Sequence, residues 1–201
     1  MGPSDHRRHT LTITTPLLVV DALVAGYTQP TMGPVSFTIA GGEVVGLAGP
    51  NGAGKSTILN TITGESRIFG GRVTCDRADG VSVLRQFPVR LPEMPLVGRE
   101  LLDVTGASAL PVPSAVTPLI DLRLDRLSGG QYQLLLVWAC LGSSARLVLL
   151  DEPTNNMDPE TVVALGEMLL AARDRGKGVL VVSHEAGLLE RVCSRIVEVA
   201  R

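Results

Sequence analysis

A chain of 201 residues, 45% hydrophobic, 19% charged and 3% aromatic, has the balance of one globular domain, or of one domain carrying an inserted subdomain. Its 18 basic and 20 acidic residues leave a net charge of −2, which excludes the broad basic excess that non-specific nucleic-acid binding uses. Apolar runs such as 147–150 and 179–182 are strand-sized, and none approaches the ~20 residues that span a bilayer, so a membrane role needs another chain to supply the membrane part.

Residues 1–15 are expected to form a flexible arm. The basic residues there precede no apolar stretch of signal-peptide length, and His6 and His9 are read as solvated rather than as metal ligands. Residues 16–24, rich in Leu and Val, predict a strand; 33–39 and 43–48 predict two more, with Gly41-Gly42 as the tight turn between them. A glycine-rich loop follows, then a helix over 56–63 that stops at Gly64, then short strands at 72–75 and 81–84. From Phe87 to Arg126 the chain carries Pro88, Pro92, Pro95, Pro111, Pro113 and Pro118, a density that breaks long elements and leaves short helices at 97–105 and 116–122.

Regular patterning then returns. Ser128 and Gln131 make an S-x-x-Q capping box for a helix over 128–141, with Gly142 placed as its C-terminal cap. Residues 146–150 predict a buried strand. Asp158 and Pro159 open another helix that ends before Gly176; a strand over 178–182, a helix over 186–192 and a last strand to Val199 complete the chain. Strands alternating with helices predict an α/β core with a mostly parallel sheet. Cys75, Cys140 and Cys193 are too far apart for a zinc site and odd in number, and are read as idle or buried thiols.

The phosphate chemistry is concentrated in two places. Gly49-Pro50-Asn51-Gly52-Ala53-Gly54-Lys55-Ser56-Thr57 matches G-x-x-x-x-G-K-[ST] between a strand and a helix, the context in which backbone N–H groups and a helix N-terminus wrap phosphates. Lys55 is expected to neutralise phosphate charge and Ser56 to offer its hydroxyl oxygen to Mg²⁺. Downstream, the apolar run 147–150 ends in Asp151-Glu152, which leaves two carboxylates at a strand's carboxyl edge. Asp151 suits Mg²⁺, and Glu152 is free to act as general base on water.

Leu127-Ser128-Gly129-Gly130-Gln131 reads LSGGQ and lies just ahead of Asp151-Glu152, and this ordered set resembles the ABC ATPases over nearly the whole chain from about Leu17. The resemblance implies a P-loop NTPase core of mostly parallel sheet at 16–86 and 143–201, an N-terminal antiparallel β region, and an inserted helical and signature subdomain at 87–142. It implies ATP as substrate and Mg²⁺ as cofactor. It also implies that Ser128, Gly129, Gly130 and Gln131 meet the γ-phosphate bound by a second subunit, most simply an identical one. Tyr27 is similar to the family's adenine-stacking aromatic, with a core or surface tyrosine as the rival reading. Gln86 matches the Q-loop glutamine that reaches Mg²⁺ or the attacking water. His184 matches the switch histidine, and 155–158 the loop that crosses to the partner, although Asp158 is also a good helix cap. The arginine that many members carry after the signature is absent, since Leu134 follows Gln133.

Residues 85–101 are similar to the region after the Q-loop in zinc- and manganese-type metal importers. The expected function is therefore the ATPase subunit of a membrane transporter, cytoplasmic at the inner membrane face, with an integral membrane permease and a substrate-binding protein as partners. The alternative is a soluble ABC protein acting on the ribosome, because 151–158 also resembles the translation factors of the family.

Overall fold

The computed structural model describes residues 15–76, 78, 80–86 and 95–200. Five strands form a wholly parallel sheet in the order β5-β6-β7-β3-β8: β3 Val44–Ala48, β5 Val81–Leu84, β6 Leu147–Asp151, β7 Gly178–Val182 and β8 Arg195–Glu198. A second, antiparallel sheet runs β2-β1-β4, from β1 Leu18–Gly26, β2 Pro30–Ile39 and β4 Arg67–Cys75.

The strand period of two explains how both faces of the parallel sheet are covered. On β6, Leu147 and Leu149 enter the core shared with the antiparallel sheet, while Val148 and Leu150 enter the core under the helices. On β7, Leu180 and Val182 take the first side and Val179 and Val181 the second. Every residue of these two strands is buried, as the unbroken apolar runs require.

Among the described residues five α-helices connect the strands: α1 Lys55–Thr63, α2 Gly98–Thr105, α3 Gly129–Gly142, α4 Pro159–Asp174 and α5 Ala186–Val192. α3 begins as its sequence dictates. Ser128 Oγ accepts the Gln131 N–H at 3.2 Å and Gln131 Oε1 accepts the Ser128 N–H at 2.9 Å, closing the capping box. Asp158 caps α4 through the Thr161 N–H at 2.7 Å, with Pro159 in the first turn. No disulfide links the three cysteines among the described residues, and burial pushes the Cys193 thiol up to about 11.

Three expectations are corrected. The strand placed at 72–75 begins at Arg67, because pairing with β1 carries it through Gly70 and Gly71. The helix placed at 116–122 is a single 3₁₀ turn at Thr117–Leu119, with Pro118 inside it. Gly142 is the last helical residue rather than a left-handed cap; the chain leaves through Ser143 in an extended conformation. Glycine is needed at 142 for space, since a Cβ there would lie 2.6 Å from that of Ala107. The expected arm falls almost wholly outside the described residues, as does the 87–94 part of the segment similar to metal importers.

Candidate active site

A parallel sheet delivers the carboxyl ends of all its strands to one edge, and that edge collects the chemistry here. β3 runs into the loop 49–54 and then α1; β5 ends just before Gln86; β6 ends in Asp151-Glu152; β7 ends just before Ser183 and His184. These segments line a cavity of 430 Å³ together with Tyr27 and Thr31. An adjoining cavity of 430 Å³ shares Asn51, Gln86, Glu152 and His184 with it and continues to Thr154, Asn155 and Asn156.

The loop is shaped by close backbone approach. A Cβ on Gly54, which has φ +98°, would stand 2.4 Å from Met32 Cβ; one on Gly49, with φ +142°, would stand 2.3 Å from the Val199 carbonyl oxygen. Met32 is therefore part of the support, a role with no motif to announce it. Ala53 is buried, and its N–H closes the loop on the Pro50 carbonyl at 3.2 Å. Lys55 is 7% exposed, and its ammonium donates to the Gly49 and Pro50 carbonyls at 2.7 and 3.1 Å. Gly52, Ser56 and Thr57 also line the cavity, the last two from the first turn of α1.

The two carboxylates occupy distinct environments. Asp151 is buried, and burial pushes its carboxyl up while Ser56, Lys55 and Arg85 pull it down. Its Oδ1 is buried and has no hydrogen-bond partner, an orphaned acceptor on a residue that lines the cavity. A divalent cation fits that acceptor and the Ser56 hydroxyl. Among the described residues no cluster of three or more His, Cys, Asp or Glu exists to hold one alone, so the remaining ligands would be phosphate oxygens and water. Glu152 sits at φ +50°, an uncommon backbone conformation for a non-glycine residue, stabilised by its N–H bonding the Val182 carbonyl at 2.9 Å. Burial raises its carboxyl, and His184 opposes that rise through Nε2 at 3.1 Å from Oε1. Glu152 is thus a buried acceptor in contact with one imidazole at the wall of both cavities, a position from which a carboxylate can take a proton from water.

Tyr27 stands half exposed at the far rim, and Gln86 lines both cavities. Ser128, Gly129, Gly130 and Gln131 line neither. Gly129 and Gly130 pack instead on the loop after β6: a Cβ on Gly130 would lie 2.4 Å from the Asn156 carbonyl oxygen, and one on Gly129 would lie 3.2 Å from Asn156 Cβ. Asn156 itself adopts φ +63°. The same loop is tied to the β7 end by Thr154 and Ser183, whose hydroxyls are 3.3 Å apart, while Ser183 Oγ accepts the Glu185 N–H at 3.1 Å. Ser183 and Thr154 were not read from the sequence; each is a small hydroxyl residue next to a motif, with no pattern of its own.

Residues 32–155 match the family model described as ABC transporter. The chain belongs to the ABC transporter family. This ABC ATPase is 35% identical to the zinc import ATP-binding protein ZnuC of Roseobacter denitrificans over 90% of this chain and 74% of that protein. It is 34% identical to the Nod factor export ATP-binding protein I of Rhizobium meliloti over 84% of this chain and 56% of that protein. Among solved structures it resembles an ATP-binding subunit of an ABC transporter, with TM-score 0.75 and 26% identity over 91% of this chain and 85% of that one. The family's ATP-binding subunits are ATP hydrolases, and this ABC ATPase is one of them. Among its described residues no helix is long and apolar enough to cross a membrane.

Proposed function

We propose that this ABC ATPase powers a membrane transporter and that its hydrolytic site is assembled from two cassettes. The observation that carries the reading is the meeting of Lys55, Asp151, Glu152 and His184 around one cavity, with His184 Nε2 3.1 Å from Glu152 Oε1. Adenine stacks on Tyr27, and the backbone of Gly49, Pro50, Asn51, Gly52, Ala53 and Gly54, with the N-terminus of α1, surrounds the β- and γ-phosphates. Lys55 exchanges its loop carbonyls for phosphate oxygens. Ser56, Asp151 and Gln86 would hold a magnesium ion, which neutralises phosphate charge when bound. Water attacks the γ-phosphorus, the β–γ bridging bond breaks, and the water's proton passes to Glu152, held in place by His184.

The signature residues 128–131 do not line the cavities of their own chain, which supports their use by a partner cassette. A second copy would present the Ser128-led tip of α3 to the γ-phosphate. Relatives named for zinc import and for Nod factor export support transport in general. A metal ion is the cargo we propose, on the zinc import relative and the likeness of 85–101 to metal importers. Such a subunit works with an integral membrane permease and a substrate-binding protein, at the inner face of the membrane. Affinity purification of the chain from membranes tests this: a polytopic permease should copurify, and metal uptake should fail when Glu152→Gln replaces the native chain. Cosedimentation with ribosomes and no membrane partner would overturn transport in favour of a translational role.

A further inference from the structure

The last turn of α1 holds a side-chain network that no phosphate-binding role uses. Asn60 Nδ2 donates to the Tyr27 hydroxyl at 2.7 Å. Asn60 Oδ1 accepts from Arg85 Nη1 at 3.1 Å. The other arm of the same guanidinium pairs with Glu65. The main chain anchors both acceptors, because the Glu65 N–H donates to the Asn60 carbonyl at 2.7 Å. One amide thus bridges segments 33 and 25 residues away in sequence.

What the bridge joins gives it a purpose. Tyr27 is 50% exposed and lines one end of the cavity, so its ring face is open while its hydroxyl is held. Arg85 ends β5's approach to the site and immediately precedes Gln86, which lines the same cavity. Arg85 is also among the charges that hold Asp151 down against burial, after Ser56 and Lys55. Tyr27 and the strand end that leads into Gln86 are therefore joined by one hydrogen-bonded chain through Asn60 and Arg85.

We infer that Asn60 and Arg85 are positioning residues that couple the nucleobase platform, Tyr27, to Gln86 at the phosphate end of the cavity. The inference rests on the nucleotide reading above and adds to it a source of nucleobase dependence. A base stacked on Tyr27 fixes the ring, the ring fixes the amide, and the amide fixes Arg85 where the chain leaves β5. A ligand without a base cannot engage this chain of bonds.

The test is equilibrium binding to the full chain by calorimetry with magnesium, using ATP and inorganic tripolyphosphate. Asn60→Ala should weaken ATP by about 2- to 10-fold, the range of one lost hydrogen bond, and leave tripolyphosphate unchanged. Asn60→Asp, whose carboxylate accepts from both the Tyr27 hydroxyl and Arg85, should restore ATP affinity. Tyr27→Phe and Arg85→Met, which remove groups that do not touch each other, should be non-additive for ATP with Asn60 present and additive in Asn60→Ala. Equal losses for both ligands, or no loss with ATP, or additivity with Asn60 present, would overturn the inference while ATP binding by the native chain leaves the nucleotide reading standing. A native chain that binds no ATP would defeat that reading first, and this inference with it.

Discussion

Replacing Glu152 by glutamine separates chemistry from structure, because the two effects have opposite signs. Gln keeps the volume of a side chain that is 7% exposed and keeps an oxygen for the His184 contact at 3.1 Å. It cannot take a proton from water. Loss of a general base costs about 10²–10⁴ in turnover, or about 2.7–5.4 kcal/mol of barrier. Stability should move the other way. Burial raises the Glu152 carboxyl above its ordinary value of 4.5. Between the ordinary and the raised value the native chain keeps a proton that the unfolded chain has lost, so this group lowers stability as pH rises through that window. Glutamine carries no such penalty. The melting temperature of the variant should exceed that of the native chain at neutral pH, and the gap should close below pH 4.5. Single-turnover hydrolysis with magnesium ATP and thermal melts across pH measure both effects. Retained turnover, or a melting temperature that falls at neutral pH, would refute the assignment of Glu152 as a buried base.

Three further outcomes follow from the geometry. Lys55→Ala removes the ammonium that bonds the Gly49 and Pro50 carbonyls and should abolish tight ATP binding in calorimetry, with the fold intact by circular dichroism. Gly130→Ala drives a methyl to 2.4 Å from the Asn156 carbonyl oxygen, so the signature tip must shift; it should cost about 1–3 kcal/mol in denaturant unfolding and reduce turnover, while single-chain ATP affinity is unchanged. Ser128→Ala removes the α3 cap that accepts the Gln131 N–H at 3.2 Å, which should cost roughly 1 kcal/mol of stability, whereas Ser128→Asp should recover the cap and still leave hydrolysis impaired.

What the sequence revealed is what short windows encode. The glycine loop with Lys55, the apolar strand that ends at Asp151, and the Ser128–Gln131 capping box are each written within ten residues, and each stands where it was placed. The strand expected at 72–75 extends back to Arg67 through Gly70 and Gly71, residues with no strand preference of their own. Its partner β1 compensates: a Cβ on Gly71 would lie 2.2 Å from the Ala22 carbonyl oxygen, so glycine is what lets the strands approach. Residues 116–122 look helical by composition, but Pro118 supports only one tight turn. The support for the site was least legible. Met32 under Gly54, Thr154 against Ser183, and the bridge from Tyr27 through Asn60 to Arg85 are contacts across the fold, and no local period or spacing marks them.

Because residues 128–131 do not line the cavities of their own chain, subunit association is the deciding quantity. Sedimentation velocity of Glu152→Gln, with and without magnesium ATP, reads it directly. A shared site requires a monomer without nucleotide and a dimer with it, and a monomer again when Ser128→Glu is added. A base-dead chain that binds ATP and stays monomeric at saturation would contradict the shared site.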